Sequence, residues 1–289
     1  MTHLPILVEA YFNNNNFDIT SIDGLSGVNP GRGMFSYRVN SKHNSYILKN
    51  CAEKREYDVY KKHASFFKNS NINIPEVYFS CEEDRKHWII IEDLPHPFSK
   101  NRWKADSEQI YILYKLHSKS LNFEIEIKDP FQFEWDEKLT DKIQYLLPNE
   151  LTTKIDYLRE QAKDLFTPFC CISGDPNPTN WGVRDNGEVV LFDFERIGYG
   201  NPAIDLAITM PGFGSEDGAL EYEIAKKYIS HWKSHTITYP FSVNELTKQI
   251  QLAKVWSALD YLANNHKTMN QQNLASYLQQ LMNRLKVHS

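Results

Sequence analysis

Cysteine is scarce in this chain, with four in 289 residues. Cys51, Cys81, Cys170 and Cys171 fit neither a disulfide framework nor a zinc-ligand spacing. The adjacent Cys170 and Cys171 lie in an apolar run and read as buried thiols, so a reduced, cytoplasmic protein is expected. Long hydrophobic runs are missing too. None approaches the ~18 apolar residues that a membrane span needs. The start, MTHLPILVEAYFNNNN, has no basic segment before its short apolar run and no small-residue cleavage site after it, unlike an ordinary signal peptide. A sustained basic stripe is also lacking. With a formal net charge of −5 and a pI near 6.1, a nucleic-acid partner is not expected, because binding a phosphate backbone needs clustered Lys and Arg. No internal repeat or heptad array occurs, and the only low-complexity tract is the four asparagines from Asn13 to Asn16.

What is present is ordinary globular material: 41% hydrophobic, 13% aromatic and 24% charged residues, enough for a sizeable core. The length predicts two closely packed lobes, and the strand and helix patterns that follow make the arrangement α+β. DITSIDGLSG, MFSYRVNS and NSYILKN read as short strands between turn signals. AEKREYDVYKKHASFFKN places Tyr57, Tyr60, Ala64 and Phe67 at helical spacing. PEVYFSCE and KHWIIIEDL read as further strands. From Asp106 onward the pattern is mostly helical, interrupted only between Phe169 and Asp193. The boundary falls near Pro95, with a small β-rich lobe over 1–95 and a larger helical lobe over 96–289.

The interruption, CCISGDPNPTNWGVRDNGEVVLFDFE, carries the chemistry. Asp175 precedes Asn180 by five positions, and Asp193 ends the apolar run VVLFD. The Asp185-Asn186-Gly187 turn suits a hairpin that returns Asp193 to Asn180. Phosphoryl transfer needs such a set: one carboxylate to orient and deprotonate an attacking hydroxyl, and an amide oxygen and a second carboxylate to hold magnesium against phosphates. Asp and Asn also fill loops merely because they favour turns, so this motif alone is weak.

Upstream elements strengthen it. LSGVNPGRGMFSYRV supplies Gly27, Gly31 and Gly33, where backbone amides can approach triphosphate oxygens. No Gly-Lys-Ser/Thr follows, so this is not a P-loop. Lys49 ends YILK, and a helix with Glu53 and Glu56 follows at once. Either glutamate can pair with the lysine, although a solvated charge pair is the blander reading.

These motifs resemble the aminoglycoside phosphotransferase and choline kinase-like family, which has a bilobal protein-kinase-like fold. The resemblance runs from about Ile22 to about Ala207. It matches the glycine loop, the YILK lysine, Glu56 as helix partner, Leu116-His117, SGDPNPTN, LFDFE and GYGNPAIDLA. It implies that the backbone near Glu92, Asp93 and Leu94 meets a nucleobase, that Asp175 is catalytic, that Asn180 and Asp193 hold Mg2+, and that Asp205 braces the catalytic loop. ATP or GTP is the implied donor and a small-molecule hydroxyl the acceptor. Ser173 replaces the family histidine before Gly-Asp. Asn177 stands where protein kinases carry a basic residue and no APE segment follows, which disfavours a protein Ser/Thr kinase. A non-catalytic nucleotide-binding pseudokinase is the other alternative, disfavoured by the intact Lys49, Asp175, Asn180 and Asp193. The segment LAKVWSALDYLA places Trp256, Asp260 and Tyr261 as acceptor-binding candidates, with a cationic amino-alcohol or aminosugar in view. Equally, an aromatic stripe at helical spacing can be core. Monomer and dimer both remain open.

Overall fold

The computed structural model describes residues 4–25, 36–121, 125–233 and 237–287. The expected glycine loop, with Gly27, Gly31 and Gly33, lies outside them. The small lobe is built on an antiparallel sheet of β1 (Ser21–Leu25), β2 (Ser36–Asn40), β3 (Ser45–Cys51), β4 (Val77–Glu83) and β5 (Lys86–Glu92), in the order β1-β2-β3-β5-β4. Side chains alternate across a strand, and here both faces are covered. Helix α1 (Ile6–Asn14) packs Val8 and Phe12 against Tyr37, Leu48, Trp88 and Ile90 on the outer face. Ile89 and Ile91 point the other way, into the main core. This double burial explains the unbroken apolar run KHWIIIE. The sequence reading contained no α1; a nine-residue helix is too short for a clear periodic signal, and it is fastened by Ile6 and Leu7 N–H donating to the Glu83 carboxylate at 2.7 and 2.8 Å.

The single helix expected after Lys49 is three pieces: α2 (Lys54–Asp58), a π-helical turn (Val59–His63) and α3 (Ala64–Asn69). Five consecutive residues, Glu56 to Tyr60, are buried there, more than one face of a regular α-turn presents.

From β5 the chain runs directly into β6 (His96–Pro97), which pairs with β8 (Trp181–Val183); β8 then pairs with β9 (Val189–Leu191). A second ribbon joins β7 (Cys170–Ile172) to β10 (Gly198–Gly200). Around them lie α4 (Ser107–Lys119), α5 (Glu137–Gln144), α6 (Asn149–Gln161), α7 (Pro202–Ile208), α8 (Ala219–Trp232), α9 (Val243–Asn265) and α10 (Gln271–Val287). α9 starts at a capping box, with Ser242 and Glu245 each satisfying the other's backbone N–H. All four cysteines are buried and unpaired. Among the described residues no helix is long and apolar enough to cross a membrane.

Candidate active site

Lys49 sits on β3, opposite Ser36 of β2 and Ile89 of β5, with sheet on both sides of it. Leu48 faces the outer core, so alternation turns Lys49 toward the other lobe. Its Nζ donates to Glu56 Oε1 at 2.6 Å and to Asp193 Oδ1 at 2.9 Å. Glu56 is fully buried and the Asp193 side chain one-third exposed. Of the two candidate glutamates it is thus Glu56 that meets Lys49, while Glu53 turns to Arg55 at 3.1 Å. Burial pushes the Glu56 carboxyl up to about 7, against the pull of the Lys49 ammonium. For Lys49 burial acts downward, but the two carboxylates outweigh it and hold the ammonium well above its ordinary range.

The β8–β9 hairpin does what its Asp-Asn-Gly turn promises. Gly187 takes a φ of +88°, Trp181 pairs with Leu191, and Phe192 N–H donates to Asn180 C=O at 3.0 Å. Asn180 and Asp193 therefore lie at one end of the ribbon. Asp193 itself has a φ of +68°, a strained region for a residue with a side chain. Asn180 Nδ2 donates to Asp175 C=O at 2.8 Å, which leaves the amide oxygen as the atom that could meet a cation. Asp193 and Glu195 both follow β9, and their carboxylate oxygens gather with those of Glu56 within 4.8 Å. Glu56 Oε2 is buried with no hydrogen-bonding partner among the described residues. Hard oxygen donors in this number fit magnesium.

Between β7 and β8 the loop that carries Asp175 is held from behind. Asp205 on α7 accepts from Ser173 N–H and Gly174 N–H, each at 2.8 Å. His117 of α4 lies 3.1 Å from the same carboxylate and 3.0 Å from the Tyr228 hydroxyl. Gly174 needs its lack of a side chain: its φ is +80°, and a Cβ there would meet the Arg196 carbonyl oxygen at 2.1 Å. Ser173 is buried and its Oγ has no partner among the described residues. Asn177 Nδ2 donates to Asp175 Oδ1 at 3.0 Å, and its own oxygen accepts from Thr179 N–H at 2.9 Å and from the Thr179 hydroxyl. Those two donors fix the amide so that NH2 faces the carboxylate. Burial raises the Asp175 carboxyl, while the Asn177 hydrogen bond and the Arg196 charge pull it down.

The connection between the lobes is well tied. Glu92 accepts from Arg184 at 2.8 and 2.7 Å, and Asp93 from Arg38 at 2.6 and 3.1 Å and from the Ser45 hydroxyl at 2.6 Å. Leu94 packs so close to Gly182 that a Cβ there would lie 2.5 Å from its Cδ1. The side chains of Glu92 and Asp93 are thus engaged within the protein, and only backbone atoms there remain for a base.

The three acceptor candidates on α9 separate. Trp256 is only 2% exposed and its indole N–H donates to Glu134 C=O at 2.8 Å, so it is a core residue and not a surface for a ligand cation. The cation nearest its ring is the protein's own Arg196, 5.9 Å from the centroid. Asp260 pairs with that same arginine at 2.9 Å. Tyr261 lies on another side of the helix, partly exposed and against Tyr277.

Comparison with known proteins decides the family. The model of the phosphotransferase enzyme family matches residues 29–235. The chain belongs to that family. No curated protein matches it. Among solved structures, the choline kinase LicA from Streptococcus pneumoniae aligns with a TM-score of 0.64 at 15% identity, covering 99% of each chain. An ethanolamine kinase from Plasmodium vivax aligns at 0.60 and 17%, covering 97% of this chain and 84% of that one. The gentamicin complex of APH(2")-IIa aligns at 0.58 and 19%, covering 99% of each. The protein-kinase-like fold expected from the motifs is therefore present in this phosphotransferase.

Three residues of the site escaped the sequence reading. Glu195 follows Asp193 by two within LFDFE, with the buried Phe194 between them. Arg196 and Arg55 gave no signal, because their partners are carbonyls, rings and a carboxylate distant in sequence.

Proposed function

We propose that this phosphotransferase is a small-molecule kinase that moves the γ-phosphoryl group of a magnesium-bound nucleoside triphosphate, ATP or GTP, to an acceptor hydroxyl. The observation that carries the reading is Lys49 bonded at once to Glu56 and Asp193, across from Asp175 and Asn180. A lysine so held presents its remaining donor to α- and β-phosphate oxygens. Asn180 and Asp193, with Glu195 beside them, would hold magnesium. When bound, that ion neutralises phosphate charge as the transfer proceeds. The backbone at Glu92, Asp93 and Leu94 would meet the base.

Asp175 takes the acceptor proton. As the hydroxyl oxygen bonds to the γ-phosphorus, the bond to the nucleoside diphosphate breaks, and the proton passes to the free Asp175 oxygen. Asn177 occupies the other oxygen and so orients the carboxylate. The acceptor binds in the larger lobe facing Asp175. Because Arg196 already lies over Trp256 and pairs with Asp260, a cationic acceptor is not gripped by those two residues.

A coupled nucleotide-release assay tests this with choline, ethanolamine, aminoglycosides, sugars and amino acids. At least one hydroxyl compound should stimulate magnesium-dependent release. Nucleotide binding with no stimulation by any member of a broad hydroxyl panel would favour the pseudokinase.

A further inference from the structure

Arg55 on α2 reaches out of the small lobe and into the segment that carries the carboxylates. Its Nε donates to Asp129 C=O at 2.8 Å and its Nη1 to Glu195 C=O at 2.9 Å, while Nη2 pairs with Glu53 at 3.1 Å. The guanidinium also lies 5.8 Å from the centre of the Phe131 ring, against which Arg196 stacks at 4.5 Å. Phe131 in turn is tied to the same segment, its N–H donating to Ile197 C=O at 2.9 Å. One side chain therefore fastens α2 to two separate strips of the larger lobe. One of them carries Glu195, and the other is tied to it at Ile197.

The neighbours of each end explain why this matters. Glu56 is the next residue on α2, and Glu195, whose carbonyl Arg55 holds, follows Asp193 by two. Fixing Arg55 to Glu195 C=O therefore sets how far Glu56 stands from Asp193 and Glu195, the three carboxylates that gather within 4.8 Å. Lys49 bridges the first two of these. At the other connection between lobes, Arg184 performs the matching task by holding Glu92. Arginine suits the position: a planar fork can satisfy two carbonyls and the Glu53 carboxylate in different directions, whereas an ammonium is a compact point charge.

We propose that Arg55 is a positioning residue, which pins α2 to the segment after β9 and so holds Glu56, Asp193 and Glu195 in register with Lys49 for the triphosphate. This rests on the reading of Lys49 as a nucleotide-binding residue. Arg55→Lys keeps the charge and the stem and removes the fork; Arg55→Met removes the charge as well.

The test is calorimetry with MgATP and amide hydrogen exchange on the full chain, for wild type, both variants and Lys49→Ala. Loss of the fork should weaken MgATP about tenfold in Arg55→Lys and more in Arg55→Met. Exchange should quicken over 54–63 and 193–198 and stay unchanged in α9. Unchanged MgATP affinity in both variants overturns the proposal. So does exchange that quickens equally in α9, because Arg55 would then support the fold in general and not the site. If MgATP binding survives Lys49→Ala, the nucleotide reading fails instead, and the exchange pattern still shows whether Arg55 pins α2.

Discussion

Lys49 and Lys254, the first nearly buried and the second buried, stand near glutamates, and their surroundings drive them in opposite directions. Lys49 meets two carboxylates, Glu56 and Asp193, which hold its ammonium raised despite burial. Lys254 on α9 is lowered to about 7, chiefly by burial, because the charge of nearby Glu221 is taken up by Arg284 at 2.5 Å. Its Nζ donates instead to Ala207 C=O at 3.2 Å and Met210 C=O at 2.7 Å, at and just beyond the end of α7. The difference lies in access. Asp193 is one-third exposed, whereas Glu221 is fully buried. A buried lysine next to a glutamate is therefore not in itself a site. What marks one is a carboxylate partner that a ligand can reach, together with further oxygen donors that the protein leaves free.

The open cluster should respond to substitution through chemistry and the closed one through stability. The largest effect is expected at Asp175, beside the open cluster. A positioned general base contributes roughly 10²–10⁴-fold, so Asp175→Asn should lower turnover by about that factor with nucleotide affinity nearly unchanged. Equal turnover by the variant, once an acceptor is in hand, would remove Asp175 from the mechanism.

Gly174→Ala comes next, since it affects the support of that loop. The new methyl would meet the Arg196 carbonyl oxygen and the backbone would be strained at its positive φ. A loss of about 1–3 kcal/mol is expected from the backbone conformation, read by denaturant unfolding. Wild-type stability would show that the loop yields freely and that Asp205 does not hold it in place.

Lys254→Met sharpens the contrast from the closed side. A lysine whose folded pKa lies below its unfolded one holds fewer protons in the folded state between about 7 and its ordinary value near 10.5. Its burial therefore costs stability below pH 7, and stability recovers as pH rises through that window. Thermal melts of wild type should improve from pH 7 to 10 relative to Lys254→Met, with MgATP affinity equal in the two proteins. Parallel pH profiles would mean that Lys254 stays charged in place.

Ser173→Ala should do least. The buried hydroxyl has no partner among the described residues, and the backbone N–H that Asp205 holds is retained. A change within about 0.5 kcal/mol is expected. A large drop in turnover with unaltered melting would show that the hydroxyl takes part in the reaction.

The cleft was more legible in the sequence than the rest of the site because its pieces are local motifs, which the family resemblance joins across the 144 positions from Lys49 to Asp193. Lys49 and Glu56 are seven apart, and the turn at Asp185-Asn186-Gly187 encodes the hairpin that returns Asp193 to Asn180. The strands of the small lobe were legible for the same reason, each being a short apolar run between turn residues. Trp256 was ambiguous because helical spacing places it on a face without saying what covers that face; Phe133, Phe166 and Arg196 do, from three other segments. Arg55 and Arg196 were illegible, as the carbonyls that Arg55 holds and the carboxylate that Arg196 meets lie 64 to 140 positions away. α10 falls in the stretch read as mostly helical, although its inward residues, such as Leu281 and Leu285, stand among Asn and Gln that weaken the pattern.

Titration calorimetry with ATP, with and without magnesium, on wild type, Lys49→Ala and Asp193→Ala, tests the central claim most directly. Binding to wild type should require magnesium, and both substitutions should weaken it. Binding that is indifferent to magnesium, or unchanged in both variants, would contradict the assignment of the open cluster as the triphosphate site.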